Sequence, residues 1–197
     1  HWFRRDLRLM DNTALKHAID AGRVVPVFVF DDSLLRGRYV GAPRVAYLLN
    51  ALHALDASLR RQGSRLIIRH GDPRTVMPAL VEEFGASAVY ANRDYSPFAR
   101  RRDDAVAAVL RVPLYTYDDS VMRAPGTVLK DDGMPFRVYT PFMKRWRGLP
   151  ELEKPGGKLP EDIWARIISE QAGEWPSLAE LGFDSTVPLP PAGEPAA

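Results

Sequence analysis

Cysteine is absent from the 197 residues of this chain. Disulfide bonds, thiolate metal sites and cysteine nucleophiles are therefore excluded. No apolar run approaches the length of a membrane-spanning helix, so we expect a soluble, cytoplasmic protein with no membrane partner. A large excess of one charge is lacking too, since 27 Lys and Arg face 25 Asp and Glu, for a net charge of +2. The chain as a whole therefore has little electrostatic attraction to nucleic acid.

Motifs of nucleotide-binding and hydrolytic enzymes are also missing. The chain has neither the GxGxxG turn of dinucleotide-binding folds nor the GxxxxGK[ST] loop of P-loop NTPases. Its 4 histidines are scattered along the sequence rather than grouped as metal ligands would be. No serine lies in a nucleophile-elbow context. We therefore predict no metal site and no catalytic residue in this chain.

What is present is an alternation of strands and helices. Continuous apolar, β-branched runs are typical of strands that are buried on both faces of a parallel sheet. They predict strands at residues 2–3, 24–30, 65–69, 88–91 and 114–117. Helical spacing of apolar residues, with Asn12 and Asp72 as N-caps, predicts helices at residues 12–21, 43–62, 73–84 and 97–110. The pattern indicates the α/β class, as a three-layer, doubly wound, five-stranded parallel sheet that is Rossmann-like or flavodoxin-like.

The pattern changes after Asp118. Residues 128–138 predict a hairpin-like excursion, and a helix is expected at residues 140–147. From Pro150 onward the chain is rich in proline and glycine, which is typical of an extended linker with short helices, here at residues 161–170 and 177–181. We therefore divide the chain into an α/β domain at residues 1–149 and a linker at residues 150–197. A linker of this kind normally leads to a further domain.

Ligands of open α/β sheets bind outside the carboxyl ends of the strands. There, Arg5 follows the first strand and Asp94 follows the fourth, while Phe28 offers an aromatic surface. Such a set suits a planar polar heterocycle, with apolar walls for its rings and charged partners for its edges. The alternative is that these charged residues only cap helices and pair with one another. The residues alone leave both interpretations open.

Several segments share one resemblance. The opening Trp2-Phe3-Arg4-Arg5-Asp6-Leu7-Arg8-Leu9, followed by Asp11-Asn12, resembles the signature of the DNA photolyase/cryptochrome family. Further segments resemble that family in the same order, at residues 43–48, 71–73, 97–103, 135–142 and 175–183. The resemblance implies an N-terminal antenna domain that binds a light-harvesting chromophore. It also implies that FAD and damaged DNA are bound by a following all-helical domain of the same parent, which is absent from this chain. The chain alone would then be inactive, although its parent would be a light-dependent carbon–carbon lyase.

The resemblance also bears on the chromophore. Folate-binding relatives carry an Asn-Glu pair where this chain has Phe98-Ala99, so folate is disfavoured. Deazaflavin-binding relatives carry an Asp and, two positions on, a second acidic residue; here Asp94 matches, but Ser96 replaces the second carboxylate. A flavin-like antenna, either deazaflavin or FMN, is therefore favoured over folate. The resemblance implies that its binding residues are Arg5, Phe28, Val40, Arg44, Asp94 and Ser96.

Arginines occur in clusters, and the cluster around Lys144 and Arg145 lies where family members approach the DNA backbone. These two side chains would contribute phosphate contacts, unless they form only a solvated basic helix face. Two other functions stay open. A cryptochrome-type photosensor would share this domain. A stand-alone α/β nucleotide-binding module, like the universal stress proteins, is disfavoured by the missing glycine-rich loop.

Overall fold

The computed structural model describes residues 1–37, 40–150, 160, 162–165 and 169–194. The predicted alternation of strands and helices is confirmed, with element ends that differ from the prediction by a few residues. The strands are β1 (Trp2–Phe3), β2 (Val27–Phe30), β3 (Ile67–His70), β4 (Val89–Asn92) and β5 (Leu114–Tyr117). The helices are α1 (Thr13–Ala21), α2 (Asp32–Leu35), α3 (Ala42–Arg60), α4 (Pro73–Phe84), α5 (Pro97–Val109) and α6 (Tyr139–Arg147), followed by a 3-10 turn at Ser169–Ala172.

The strands are parallel and form two hydrogen-bonded ladders, β1-β2-β3 and β4-β5. In the first ladder Phe3 lies opposite Phe28, and Phe28 opposite Ile68. β1 also packs against β4, so the strands lie in the order β3-β2-β1-β4-β5. This is the order of a doubly wound sheet, and it confirms the predicted α/β class. The ladder is divided because β1 is only two residues long, and the backbone N–H of the next residue, Arg4, donates to the Asp6 carboxylate rather than to the backbone of a neighbouring strand.

Each face of the sheet is covered by a separate apolar cluster. Side chains alternate along a strand, so in β2 Phe28 and Phe30 point to one face while Val27 and Val29 point to the other. α1 and α3 cover the first face and α4 and α5 cover the second. The sheet is therefore the middle of three layers.

The segment after β5 contains little that is buried. Leu129 and Pro135 form one antiparallel bridge, which confirms the hairpin-like excursion. α6 follows and carries Lys144, Arg145 and Arg147 in its last turn. Among the residues described by the structure, no helix is both long enough and apolar enough to cross a membrane.

The last segment returns to the domain. Trp164 forms a parallel bridge with Val24 and is buried in the cluster on the α1/α3 face. The helix that was predicted over residues 161–170 is thus wrong at residues 162–165, because the backbone on either side of Trp164 pairs with Val24 and is not available for helical hydrogen bonds. Residues 161 and 166–168 of the predicted helix lie outside the described residues. At residues 177–181 there is a single turn, closed by the N–H of Leu181 donating to the carbonyl of Ser177 at 3.2 Å.

Candidate functional site

The candidate site lies where the strand order reverses, between β1 and β4. Two loops leave the carboxyl ends of these strands. One, which we call the β1–α1 loop, runs from Arg4 to Asn12, and the other runs from Arg93 to Ser96. Asn12 and Ser96 are the N-caps of α1 and α5, accepting hydrogen bonds from the N–H groups of Leu15 and Ala99. A crevice between two such loops is the usual ligand position in a doubly wound fold.

Arg4 forms the floor of this site. Its Nη1 donates to both carboxylate oxygens of Asp103 at 2.6 Å, and its Nη2 donates to the carbonyl of Asn92. The two charged side chains are almost fully buried, at 6% and 12% exposure. The guanidinium groups of Arg4 and Arg102 both lie over the ring of Trp2, at 5.1 and 5.0 Å from its centroid. The Arg4 side chain therefore ties β1, β4 and α5 together and is not available to a ligand.

Asp6 is a second buried centre. Its carboxylate accepts hydrogen bonds from the Arg4 backbone N–H at 3.0 Å, from Asn92 Nδ2 at 2.5 Å and from Asn12 Nδ2 at 3.2 Å. Burial alone would raise the pKa of Asp6. The His1 imidazole, whose Nε2 lies 3.7 Å from the Asp6 carboxylate, and the Arg4 N–H both lower this pKa. Their combined effect exceeds that of burial, so the pKa of Asp6 lies well below its ordinary value.

This network predicts a pH effect. A depressed folded-state pKa means that the stability due to ionised Asp6 is fully present above the ordinary value of 3.8 and is lost as the pH falls further. Asp6→Asn should lower the free energy of unfolding at pH 7 by about 2–3 kcal/mol, because charged hydrogen bonds are lost. The difference from the wild type should shrink below pH 4. Urea unfolding at several pH values measures it, and a difference that stays constant down to pH 2.5 would contradict the assignment.

Arg5, Asp94 and Ser96 form the open side of the site. The Arg5 guanidinium is 81% exposed and lies 3.5 Å from the Asp94 carboxylate, which is 18% exposed. Asp94 also accepts a hydrogen bond from the Ser96 backbone N–H at 2.9 Å. Burial would raise the pKa of Asp94, but the Ser96 groups and the Arg5 charge outweigh it, so the pKa is lowered. The site therefore presents an ionised acceptor beside an exposed cationic donor.

The other predicted site residues are placed differently. Phe28 is in the core at 6% exposure, with its ring edge-to-face against Phe30. Val40 is half-buried on the α2–α3 connection and donates its N–H to the Gly37 carbonyl, while Arg44 is exposed in the first turn of α3. The structure thus joins Arg5, Asp94 and Ser96 directly. A binding role for Phe28, Val40 and Arg44 stays a prediction.

The position that would distinguish a folate site is packed. Ala99 is 1% exposed, and Phe98 lies beneath the Arg102 guanidinium at 5.9 Å. Neither residue has a polar side chain. The two basic residues predicted near DNA, Lys144 and Arg145, are exposed on α6, and Arg145 lies 3.3 Å from the Asp131 carboxylate.

Some residues that shape the site were not found from the sequence. Asp119 accepts hydrogen bonds from the N–H and hydroxyl of Thr13 and from Arg8, at 2.8 to 2.9 Å. The carboxylate of Glu194 accepts from the N–H groups of Leu9 and Met10. Both carboxylates are more than 100 residues from their partners along the chain. Local patterning carries no signal for contacts of this kind.

Comparison with known proteins assigns the chain to a family. The family model of DNA photolyase matches residues 1–160. An uncharacterized 31.6 kDa protein of Synechococcus sp. (strain PCC 6716) is 39% identical over 189 residues, which cover 93% of this chain and 66% of that protein. A deoxyribodipyrimidine photo-lyase of Halobacterium salinarum is 37% identical over 210 residues, covering 100% of this chain and 43% of that enzyme.

Cryptochromes and solved photolyase structures match as well. Cryptochrome-1 of Mus musculus is 31% identical over 202 residues, covering 94% of this chain and 32% of that protein. The crystal structure of a photolyase from Sulfolobus tokodaii has a TM-score of 0.78 at 27% identity, covering 98% of this chain and 43% of that one. That archaeal photolyase holds two FAD molecules, which imply a novel light-harvesting cofactor in it. The chain therefore spans less than half of the length of the photo-lyase and cryptochrome relatives named above.

Proposed function

Because the chain belongs to the DNA photolyase family, we propose that it acts as the N-terminal light-harvesting domain of a deoxyribodipyrimidine photo-lyase. In this proposal, the parent protein uses light and FAD to repair pyrimidine dimers in DNA. A helical FAD-binding domain of the same parent carries out that chemistry. The observation that carries the proposal is the Arg5–Asp94 pair at the reversal of strand order, in which the Arg5 guanidinium is open to solvent.

The polar groups of the site fit a flavin-like chromophore. The pyrimidine edge of a flavin or deazaflavin ring alternates carbonyl acceptors with an N–H donor. The exposed Arg5 guanidinium can donate to a carbonyl, and the ionised Asp94 carboxylate can accept from the N–H. When bound, the chromophore absorbs light and transfers excitation energy to FAD, so the chain itself needs no catalytic residue. Its residues hold the ring in a fixed orientation.

Ser96 and Ala99 bear on which chromophore is bound. The Ser96 hydroxyl accepts the Ala99 N–H at 3.2 Å as the N-cap of α5, so it supplies less acceptor capacity than a second carboxylate would. Since Phe98 and Ala99 are packed against the domain, a folate-type contact at these positions has no polar side chain to use. A flavin or deazaflavin is therefore proposed over folate, with Asp94 as the principal acceptor.

Flavin binding has a direct test. A ligand that binds only the folded state adds about 2.7 kcal/mol of stability when its free concentration is 100 times its Kd. For a chain of this size, that should raise the Tm by about 5–10 °C. Thermal unfolding with FMN, with a deazaflavin and with a folate measures the shift. We expect it with one of the first two compounds and not with the folate.

Variants give this test its controls. Asp94→Ala should abolish most of the shift, because it removes the acceptor and leaves Arg5 without its partner. Asp184→Asn changes the formal charge equally at an exposed position outside the site and should leave the shift intact. If saturating FMN and deazaflavin both leave the Tm unchanged, this chain does not bind such an antenna. If Asp94→Ala binds as well as the wild type, the chromophore lies elsewhere.

The similarity to Cryptochrome-1 keeps a photosensor as the second candidate function. Both functions would use this domain in the same way, so the distinction depends on whether the parent repairs DNA. We further propose that Lys144 and Arg145 contribute phosphate contacts in the parent, because both are exposed in the last turn of α6. Repair of a dimer-containing oligonucleotide by the illuminated parent protein would separate the photolyase from the photosensor.

A further inference from the structure

The C-terminal segment is built into the domain. The C-terminal strap, which we define as residues 163–165 and 169–194, passes along the side of the domain formed by β3 and the residues before β2. It starts at the bridge between Trp164 and Val24. It continues where Arg69 Nη1 donates to the Gln171 carbonyl at 3.0 Å, and where the ring of Trp175 stacks on His53 at 4.3 Å. The strap therefore follows a defined path along the folded domain.

Gly173 shows how closely the strap approaches the sheet. Its φ is +79°, a backbone conformation that favours glycine, and a Cβ added there would lie 2.2 Å from the carbonyl oxygen of Ile68. Any other residue would push the strap away from β3. This close approach agrees with the packing of Leu178 and Leu181 against the α1/α3 cluster. The path of the strap is thus set by backbone contact as well as by apolar side chains.

The strap ends at the candidate site. Each oxygen of the Glu194 carboxylate accepts one of two consecutive N–H groups in the β1–α1 loop, from Leu9 at 3.0 Å and from Met10 at 2.8 Å. Hydrogen bonds from backbone N–H groups to a carboxylate are among the stronger kinds. The same loop turns sharply at Asp11, whose φ is +47° although it is not a glycine. Glu194 therefore closes the strap on a loop whose backbone is conformationally restricted.

We propose that Glu194 is a positioning residue for the chromophore site, an inference that rests on the proposed function. The β1–α1 loop carries Arg5, whose exposed guanidinium needs a fixed backbone to remain beside Asp94. On one side the loop is held by the buried side chain of Asp119, which accepts from Arg8, and Glu194 holds the N–H groups of the next two residues. If the loop is already ordered before the ligand binds, less conformational entropy is lost on binding. Glu194 thus acts through Arg5 without touching the ligand.

The direct test compares Glu194→Ala and Glu194→Gln with the wild-type chain. NMR should show faster amide exchange at Leu9 and Met10 in Glu194→Ala, and increased mobility of the Arg5 amide and side chain in relaxation measurements. The glutamine variant keeps one acceptor oxygen and should show a smaller effect. Because binding must then order the loop, Glu194→Ala should weaken binding of FMN, or of the deazaflavin if the wild type binds only that compound, by about five- to tenfold. Asp184→Asn, an equal change of charge on the same strap, should behave as the wild type.

A further variant separates positioning from loss of stability. His53→Ala removes the stack on Trp175 in the middle of the strap and leaves Glu194 in place. We expect His53→Ala to lower the Tm as much as Glu194→Ala does, but to leave the mobility of Arg5 and the affinity for FMN unchanged. That result would show that the effect of Glu194 is local, as proposed. Equal effects of the two variants on affinity would overturn the proposal. So would unchanged exchange at Leu9 and Met10, or an unchanged mobility of Arg5.

The two proposals fail in different ways. If wild-type chain binds no flavin, the proposed chromophore is wrong, while the exchange and relaxation measurements still decide whether Glu194 orders the loop and Arg5. If the wild type binds FMN and Glu194→Ala binds it equally tightly, the chromophore site stands and the positioning role does not.

Discussion

Replacing Arg4 with methionine should lower the free energy of unfolding by about 3 kcal/mol, at the lower end of the cost of removing one partner from a buried ion pair. Methionine keeps most of the apolar stem but cannot donate. The variant would remove the hydrogen bonds that Arg4 donates to the Asp103 carboxylate and to the Asn92 carbonyl. Arg102 still donates to Asp103 at 2.9 Å, which is why the lower end applies.

Urea unfolding measures the effect of Arg4→Met, and a double-mutant cycle with Asp103→Asn isolates the pair. Lys16→Met is a suitable control, because Lys16 and Asp20 form an ion pair of the i,i+4 type with both side chains more than half exposed. Exposed pairs of this kind contribute little to stability. A loss in Arg4→Met that is no greater than in the control would show that the Arg4–Asp103 pair does not stabilise the fold.

The Arg4 pair also shows why the sequence predicted the arginine clusters but not their roles. Arg4 and Arg5 are adjacent and chemically alike, yet one is 6% exposed and the other 81%. The difference arises because β1 ends at Phe3 and the following residues point to opposite sides of the chain. Arg4 meets α5, which is 99 residues away along the chain at Asp103. Only the three-dimensional packing decides which arginine is buried.

Local elements, by contrast, were predictable because their causes are local. Asp72 accepts the N–H of Arg74 and begins α4 directly before Pro73, and Gly85 ends that helix in the left-handed conformation with φ of 58°. A capping side chain, a proline and a glycine act within a few residues. The buried run in β2 is likewise visible in the sequence, because both of its faces are apolar.

The candidate site was predictable in part for the same reason. Arg5 and Asp94 were expected together because the carboxyl ends of neighbouring parallel strands share one edge, and the structure places them 3.5 Å apart. Phe28 was expected to offer surface at that edge. It lies instead in the middle of β2, paired with Phe3 and Ile68, where its ring is enclosed by the α1/α3 cluster. Whether Phe28 is buried or exposed at the sheet edge depends on its position within β2, and composition defines the ends of a short strand poorly.

Composition was least informative in the strap. Its proline and glycine content is typical of a linker, and the division at residue 149 stays a prediction. In the structure, the N–H of Val24 donates to the Ile163 carbonyl at 2.7 Å, and the N–H of Ala165 donates to the Val24 carbonyl at 2.9 Å. Ile163 and Trp164 are only two apolar residues in a proline-rich segment, so they produce no periodic pattern in the sequence. In the structure they are buried in the α1/α3 cluster.

Trp164 provides the sharpest test of that division. If the folding unit included the strap, Trp164→Ala would lower the free energy of unfolding by about 3–5 kcal/mol, as large-to-small changes of a buried aromatic residue do. The ring is 8% exposed in the α1/α3 cluster, and its Nε1 donates to Gln62 Oε1 at 3.2 Å. If residues beyond 149 were only a linker, the same substitution would behave as a surface change, within about 0.5 kcal/mol.

The matched control is the same substitution at Trp146, before the predicted boundary. That ring is half-buried on α6 and is covered by the Arg123 guanidinium at 5.5 Å, outside both core clusters. Since it buries less apolar surface, Trp146→Ala should cost less than half as much as Trp164→Ala in urea unfolding. The reverse order would mean that α6 belongs to the folding unit more firmly than the strap does. The expected order instead places the structural limit of this domain beyond Trp164, so that the residues with the composition of a linker complete the core beneath the candidate site.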